Sequence, residues 1–307
     1  MSRPLISFVT TVYNKAAFLP QTLAALGAQT GDFEAEYIFV DDGSTDDSAA
    51  IIGAVTAAWP KVTLIRQENQ GAAAATNRGI AAATGDYVKL LDGDDVLHCD
   101  ATARLLAALD QHPQAVAAFA AGAQRPNSLL NQFAPLNTDA AILLANPLAL
   151  VLKRNLFNPS QVLVRLGALS ACGGCDADPR IRFGQDYTLN LRLARLGAFV
   201  SLPQTLVHFP EDVPGRVSAH QGRELERLNI ALMLFFQQFP ETSPALKRLA
   251  AQRTAGRAYA FARRHHGARP LLSRAFWRYA QSFLPQRDMP GFIEKTLVDF
   301  KGAAPPS

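Results

Sequence analysis

Asp86-Tyr87-Val88-Lys89-Leu90-Leu91-Asp92-Gly93-Asp94-Asp95 is the stretch from which the fold is read. An apolar run of strand length ends abruptly in three carboxylates. Such a run, bounded by Gly and Asp, is expected to be a strand in a sheet covered on both faces. Asp92, Asp94 and Asp95 repel one another at this spacing unless a cation or solvent lies among them. Asp and Gly also suit a tight turn. Two readings follow: a solvated turn, or a divalent-metal site at the carboxyl end of a strand, where open α/β sheets bind ligands.

Upstream, Leu5 to Val12 is an apolar, β-branched run and reads as a strand. Phe18, Leu19, Thr22, Leu23 and Leu26 recur at helical spacing, which predicts a helix over 15–29 with Asn14 as its N-cap. Tyr37 to Val40 is a second strand and ends in Asp41-Asp42-Gly43-Ser44-Thr45-Asp46. A helix over 47–58, a strand over 62–66 and an Ala-rich helix over 72–83 lead to the strand ending at Asp92. A helix over 100–110 and a strand over 115–120 follow. This alternation predicts an α/β, Rossmann-like, mainly parallel sheet with helices on both faces. The acidic clusters at Asp41–Asp42 and Asp92–Asp95 then share the carboxyl edge and one crevice.

Beyond residue 121 Asn and Pro recur, and only 140–153 is expected to be helical. Gln161 to Arg165 reads as a strand. Gln185 to Leu196 reads as a helix with Leu189, Leu193 and Leu196 on one face. Asp186 sits in its first turn, where the helix dipole favours a carboxylate. Short strands are expected at 199–202 and 205–209. From about 216 helical patterns dominate, at 219–239, 244–265, 268–283 and 290–301, with Phe276, Trp277, Tyr279 and Phe283 among the residues supplying apolar bulk. The expected division is 1–215, a helical region over 216–301, and a tail over 302–307.

The chain has 307 residues, 49% of them hydrophobic, which suffices for a packed core. Its net charge of +4 is unevenly placed. Residues 1–100 hold thirteen Asp or Glu against six Lys or Arg, whereas 241–288 hold ten Lys or Arg against Glu241 and Asp288. Those basic helices offer either a solvated face or a surface for anionic headgroups. No nucleic-acid motif accompanies the charge. Cys99, Cys172 and Cys175 make no disulfide framework, so a reducing compartment is the simplest inference. Cys172-Gly-Gly-Cys175 has zinc-ligand spacing but lacks a second pair, and a Gly-rich turn is the preferred reading. There is no signal-peptide pattern and no run of roughly 20 apolar residues. A cytoplasmic location is expected, with peripheral contact at the inner face of the membrane as a further expectation.

Five pieces in this order resemble family 2 glycosyltransferases of the GT-A fold, over about residues 4–218. They are residues 7–15 (Ser7-Phe8-Val9-Thr10-Thr11-Val12-Tyr13-Asn14-Lys15), Val40 to Asp46, Asn69-Gln70-Gly71, Gly85 to Asp95, and Gly184-Gln185-Asp186-Tyr187 with Leu191-Arg192. The resemblance implies a nucleotide-sugar donor, usually UDP-linked, and a glycan or lipid-linked acceptor in surface polysaccharide or lipid-linked glycan synthesis. It implies Thr11 and Asp42 at the base, with Asp42 accepting the uracil imide N–H. Asp92-Gly93-Asp94 matches the DxD motif, placing Asp92 near the ribose and metal shell and Asp94 on Mg²⁺ or Mn²⁺. Asp95 is implied as a helix cap or an outer partner of that site. Asp186 matches the catalytic base that deprotonates the acceptor hydroxyl in an inverting transfer.

Two departures stand out. Gln185 replaces the family's more frequent Glu. Thr76 precedes Asn77 where the family often has Arg, leaving Arg78 as a candidate donor-phosphate contact. His208 and His220 lie where relatives sometimes place a late metal or diphosphate contact, although a structural role is the preferred expectation for each. The alternative to an enzyme is a non-catalytic nucleotide-sugar-binding scaffold of the same fold. A nucleotidyltransferase would need a basic, Gly-rich loop directly after the first strand, and Thr10-Thr11-Val12-Tyr13-Asn14 is not one.

Overall fold

A computed structural model of the chain describes residues 3–137, 140–181, 184–211, 221–269 and 271–300. Two compact units result. One comprises Met1–Pro147, Phe157–Asp176 and Arg192–Pro214, the other Leu148–Leu156, Ala177–Leu191 and Gly215–Ser307. His220 and the 302–307 tail lie outside the described residues, as does the expected boundary near 215.

The first unit is built on a nine-stranded sheet. Its leading half is β1 (Leu5–Val12), β2 (Glu34–Asp41), β3 (Val62–Arg66) and β4 (Tyr87–Asp92), paired in parallel in the order β3-β2-β1-β4. Intervening helices α1 (Leu19–Gly27), α2 (Ser48–Thr56) and α3 (Ala72–Ala82) make the crossovers that parallel pairing requires. The quoted stretch behaves as its pattern predicts, since Tyr87 to Leu91 are all buried.

The other half is mixed. It contains β5 (Val96–Leu97), β6 (Ala115–Arg125), β7 (Ile142–Leu144), β8 (Val162–Arg165) and β9 (Ala198–Pro210), with α4 (Ala101–Gln111) and α6 (Leu166–Cys172). β8 joins the halves, antiparallel to both β4 and β6, while β6 and β9 run parallel. The long pairings are parallel and the antiparallel ones short, so the sheet is mostly parallel, as expected.

Alternation along the strands sorts the core. Ile6, Phe8 and Phe39 join Leu19, Leu23, Leu26 and Leu105 in one apolar cluster. Val9 and Val40 point the other way, towards α3. A Cβ on Gly79 would lie 2.3 Å from Val9 Cγ1, so only glycine lets that helix approach so closely.

Several local expectations are corrected. α1 begins at Leu19, with Pro20 in its first turn, and Asn14 is not its cap. Asn14 instead takes a left-handed φ of 51° in the preceding loop. The expected helix over 140–153 is β7 followed by the short α5 (Leu148–Val151). The strands expected at 199–202 and 205–209 are one strand, β9, whose pairing shifts register between Ala120 and Gly122 of β6. Such irregularities keep a strand in its sheet across Pro203.

In the second unit, α5 and most of α7 (Gln185–Leu193) belong with α8 (Gln221–Gln238), α9 (Pro244–His266), α10 (Arg274–Gln281) and α11 (Met289–Leu297). α7 ends before Leu196, which is 39% exposed rather than on a buried face. The buried amide of Asn229 pins three helices, donating to Thr254 O at 3.1 Å and to Thr296 Oγ1 at 3.0 Å. The basic face is only partly solvated. Arg253 and Arg257 donate to Lys153 O at 2.6 and 3.4 Å, and Arg278 pairs with Asp299.

Candidate functional site

The register of three strands places the acidic turns. Thr11 of β1 pairs with Val40 on one side and Asp92 on the other, and Val12 pairs with Asp41. The ends of β2 and β4 therefore flank the end of β1, with about 10 Å between the outer backbones. Thr11, Asp42, Asp92 and Asp94 are gathered at one carboxyl edge.

The β2 turn is held by its own acids. Buried Asp41 accepts from Ser44 N at 2.9 Å and Arg66 Nε at 3.2 Å. Asp42 Oδ1 accepts from Gln67 Nε2 at 2.7 Å and Gln70 N at 2.9 Å, and its Oδ2 accepts from Gly71 N at 2.8 Å. Of these donors only the Gln67 amide can swing away for an incoming N–H. Gly43 allows the turn: its φ is +80° and a Cβ would meet Asn69 N at 2.9 Å. Asn14 Oδ1 accepts from Thr45 N at 2.8 Å, tying the β1 loop to this turn.

At the β4 turn, Thr11 Oγ1 donates to Asp92 Oδ1 at 3.1 Å, and Gly93 N donates to Thr11 O at 2.9 Å. Asp94 pairs with Lys15 Nζ at 2.5 Å. Asp95 caps no helix. It is buried, and Ser160 Oγ donates to its Oδ2 at 2.5 Å while accepting from Asp92 N at 2.9 Å. Burial, and then the charges of Asp94 and Asp92, hold the Asp95 carboxyl well above the usual range. Beneath the turn lies Lys89, fully buried in β4, whose Nζ donates to Leu90 O at 2.9 Å and Ser160 O at 2.5 Å. Burial pulls its pKa down to about 7 against the opposing pull of Asp95 and Asp92. Lys15, Lys89 and Ser160 were not expected. Ser160 is remote in sequence, and a lysine inside an apolar strand run carries no motif.

These residues fit a hard divalent cation. The donors are carboxylate oxygens, their mutual repulsion favours protonation of Asp95, and Asp94 already draws an ammonium.

Asp186, in the second unit, has a separate environment. Its Oδ2 accepts from Asn155 Nδ2 at 2.5 Å and its Oδ1 from Tyr187 N at 2.8 Å. Asn190 Nδ2 donates to Asp186 O at 2.8 Å, and Asn190 Oδ1 accepts from Leu156 N at 3.3 Å. Burial is the largest influence on the carboxyl and pushes it up to about 6, with Glu224 adding to the rise. The residue as a whole is half-buried. A carboxylate in this range serves as a base near neutral pH. Asn155 is the partner that sequence alone missed.

Other candidates are placed elsewhere. Arg78 is exposed, almost two turns along α3. The Cys172–Cys175 segment is a turn held by Asn77, whose Nδ2 donates to Cys175 O at 2.9 Å and whose Oδ1 accepts from Cys175 N at 2.8 Å. His208 is buried, with Nδ1 2.9 Å from Leu130 O and its ring stacked on Phe133 at 3.8 Å. His98, Cys99 and Asp100 bring donor atoms within 4.8 Å of one another. There His98 Nδ1 accepts from Asp100 N at 3.0 Å, which accounts for the trio as the turn into α4.

An open, mostly parallel sheet with an acidic carboxyl edge and a helical C-terminal region is the architecture of GT-A enzymes. Residues 7–155 match the model of glycosyl transferase family 2. An uncharacterized glycosyltransferase of Haemophilus influenzae is 39% identical over 101 residues, covering 33% of this chain and 40% of that protein. Glycosyltransferase GlyG of Streptococcus pneumoniae is 40% identical over 94 residues, covering 30% and 31%. The chain thus spans well under half the length of these relatives. S. aureus TarS 1–349 shares the fold over 96% of this chain and 88% of its own, with a TM-score of 0.65 at 16% identity. A mannosyltransferase from Pyrobaculum calidifontis, solved with GDP-Man and Mn²⁺, shares it over 97% and 86%, with a TM-score of 0.60 at 19% identity.

Proposed function

We propose that the chain transfers a hexosyl group, with inversion, from a UDP-linked sugar to an acceptor hydroxyl in surface polysaccharide or lipid-linked glycan synthesis. The register of Thr11 between Val40 and Asp92 carries this reading, because it sets two acidic turns side by side at the ligand-binding edge. Fold neighbours solved with UDP and with UDP-GlcNAc are consistent with such a donor.

Residues 1–215 would hold the donor and the chemistry. Asp42 accepts the imide N–H of the base, exchanging the Gln67 amide for it, while the Gln70 and Gly71 amides keep the carboxylate in place. Thr11 stands with Asp42 at the base, and Asp92 lies near the ribose and the metal. Asp94 and Asp92 would hold Mn²⁺ or Mg²⁺, which when bound stabilises the charge developing on the departing diphosphate. Lys15 leaves Asp94 and turns its ammonium to the phosphates. Asp186, oriented by Asn155 and the Tyr187 amide, takes the proton from the acceptor hydroxyl as that oxygen attacks C1. The basic helices over 216–301 would bring this reaction to an anionic membrane at the cytoplasmic face.

Calorimetry of UDP with and without Mn²⁺, followed by assay of UDP-sugar hydrolysis, tests the reading. Binding strengthened by metal, with slow donor hydrolysis, is expected. Absence of UDP binding would overturn the donor assignment. Tight binding without turnover across a broad donor and acceptor panel would favour the non-catalytic scaffold instead.

A further inference from the structure

The segment around α10 was expected to contribute core, and half of it does. Ala275 is buried, and the rings of Phe276 and Tyr279 meet Tyr259 of α9 at 5.7 and 5.9 Å. The other side of the helix carries Trp277, which is 52% exposed. Just before the helix, Leu271 is held at φ +63°, a conformation that L residues other than Asn and Asp avoid. Trp277 Nε1 donates to Leu271 O at 2.9 Å and pins the strained turn. The result is that Leu271 and Leu272 are thrust outwards, 64% and 79% exposed. Past the helix, Phe283 and Leu284 are 52% and 62% exposed. Isolated apolar side chains on a surface need no explanation, but five large ones within residues 271–284, two of them on a strained and pinned turn, do.

The charge around them has one sign. Arg263, Arg264, Arg269, Arg274 and Arg287 are exposed, and no Asp or Glu occurs between Glu241 and Asp288. Among the described residues no helix is long and apolar enough to cross a bilayer. An edge with exposed Leu, Phe and Trp amid arginines suits the boundary between headgroups and acyl chains, where apolar side chains enter and cations meet anionic lipid.

We infer that residues 263–287 form a docking edge for an anionic membrane, with Leu271, Leu272, Trp277, Phe283 and Leu284 entering the bilayer surface and the arginines binding headgroups. This goes beyond electrostatic adsorption by basic helices. It rests on the proposed function only for its purpose, and its test involves no sugar transfer.

The reporter is built in, because Trp59 and Trp277 are the chain's two tryptophans. In the full chain carrying Trp59→Phe, Trp277 emission is followed with vesicles of phosphatidylcholine alone and with vesicles containing phosphatidylglycerol, alongside flotation. Expected are flotation with the anionic vesicles, a blue shift of Trp277, and quenching by brominated acyl chains. Leu271→Asn with Leu272→Ser should weaken vesicle affinity by about tenfold or more, with the thermal midpoint and UDP binding unchanged. Asn tolerates the left-handed backbone, so the turn survives the exchange. Arg269→Glu with Arg274→Glu should abolish the preference for anionic lipid. No flotation at low salt would overturn the inference in favour of an acidic protein partner. Flotation with Trp277 unshifted and unquenched would overturn it in favour of electrostatic adsorption alone.

Discussion

The carboxyl edge of the sheet and the α10 segment treat charge in opposite ways. At the sheet edge every carboxylate is engaged: Asp42 by two backbone amides and Gln67, Asp94 by Lys15, and Asp95 by Ser160 above the buried Lys89. Around α10 most arginines are exposed, and Arg278 pairs with Asp299. Buried charge is tolerated only when paired and hydrogen-bonded, and such pairing fixes position. Exposed charge of one sign fixes nothing by itself and acts on whatever approaches. As proposed, the first region would hold one small ligand in one geometry and the second would meet an extended surface.

The contrast is broken most severely at Asp94. Asp94→Ala should remove measurable sugar transfer and the metal enhancement of UDP binding, by kinetics and calorimetry, while leaving vesicle flotation intact. Loss of both properties together would show that the regions are not separable.

Asp186→Asn should lower kcat by ~10³-fold, within the usual range for a lost general base, with UDP affinity unchanged. With the carboxyl at about 6, transfer should fall by about tenfold per pH unit below pH 6 and level off above it. A pH profile flat to pH 4.5 would remove Asp186 from the base role.

Lys89→Met keeps the volume but removes the buried cation beneath the acidic turn. It leaves Ser160 O and Leu90 O without their donor. Mn²⁺ affinity in the presence of UDP should fall by about 10–100-fold, the usual cost of losing an outer-sphere partner. Electron paramagnetic resonance of Mn²⁺ would measure it, with circular dichroism to check the fold.

The smallest effect concerns stability. The folded pKa of Asp186 lies above its unfolded value, so the folded state binds the proton more tightly and stability declines as pH rises from about 4 to about 6. Asp186→Asn resembles the protonated form. It should stabilise the fold at pH 8, by up to about 3 kcal/mol less what solvent screens, seen as a higher thermal midpoint, and change stability little at pH 4.

Much of the sheet edge was legible because its signals are local. An apolar run ending in Asp-Gly-Asp specifies both a strand and its turn, and the helices between strands force parallel pairing. Residues 140–153 and 199–209 were misread where local pattern competed with the sheet, because β-strand identity depends on a partner. β7 exists through β9, and β9 stays whole across Pro203 through its shifted pairing with β6.

From the amino-acid order alone came the α/β class, the two acidic turns at one edge, the candidate base at 186 and the imbalance of charge between the ends of the chain. Each depends on residues close together along the polypeptide. Folding in three dimensions decided that Ser160 and Lys89 support the metal-type turn, that Asn155 orients Asp186, and that Leu271, Leu272 and Trp277 face outwards. Those relations join residues distant in sequence, or depend on which side of a helix finds a neighbour, and no short pattern encodes either.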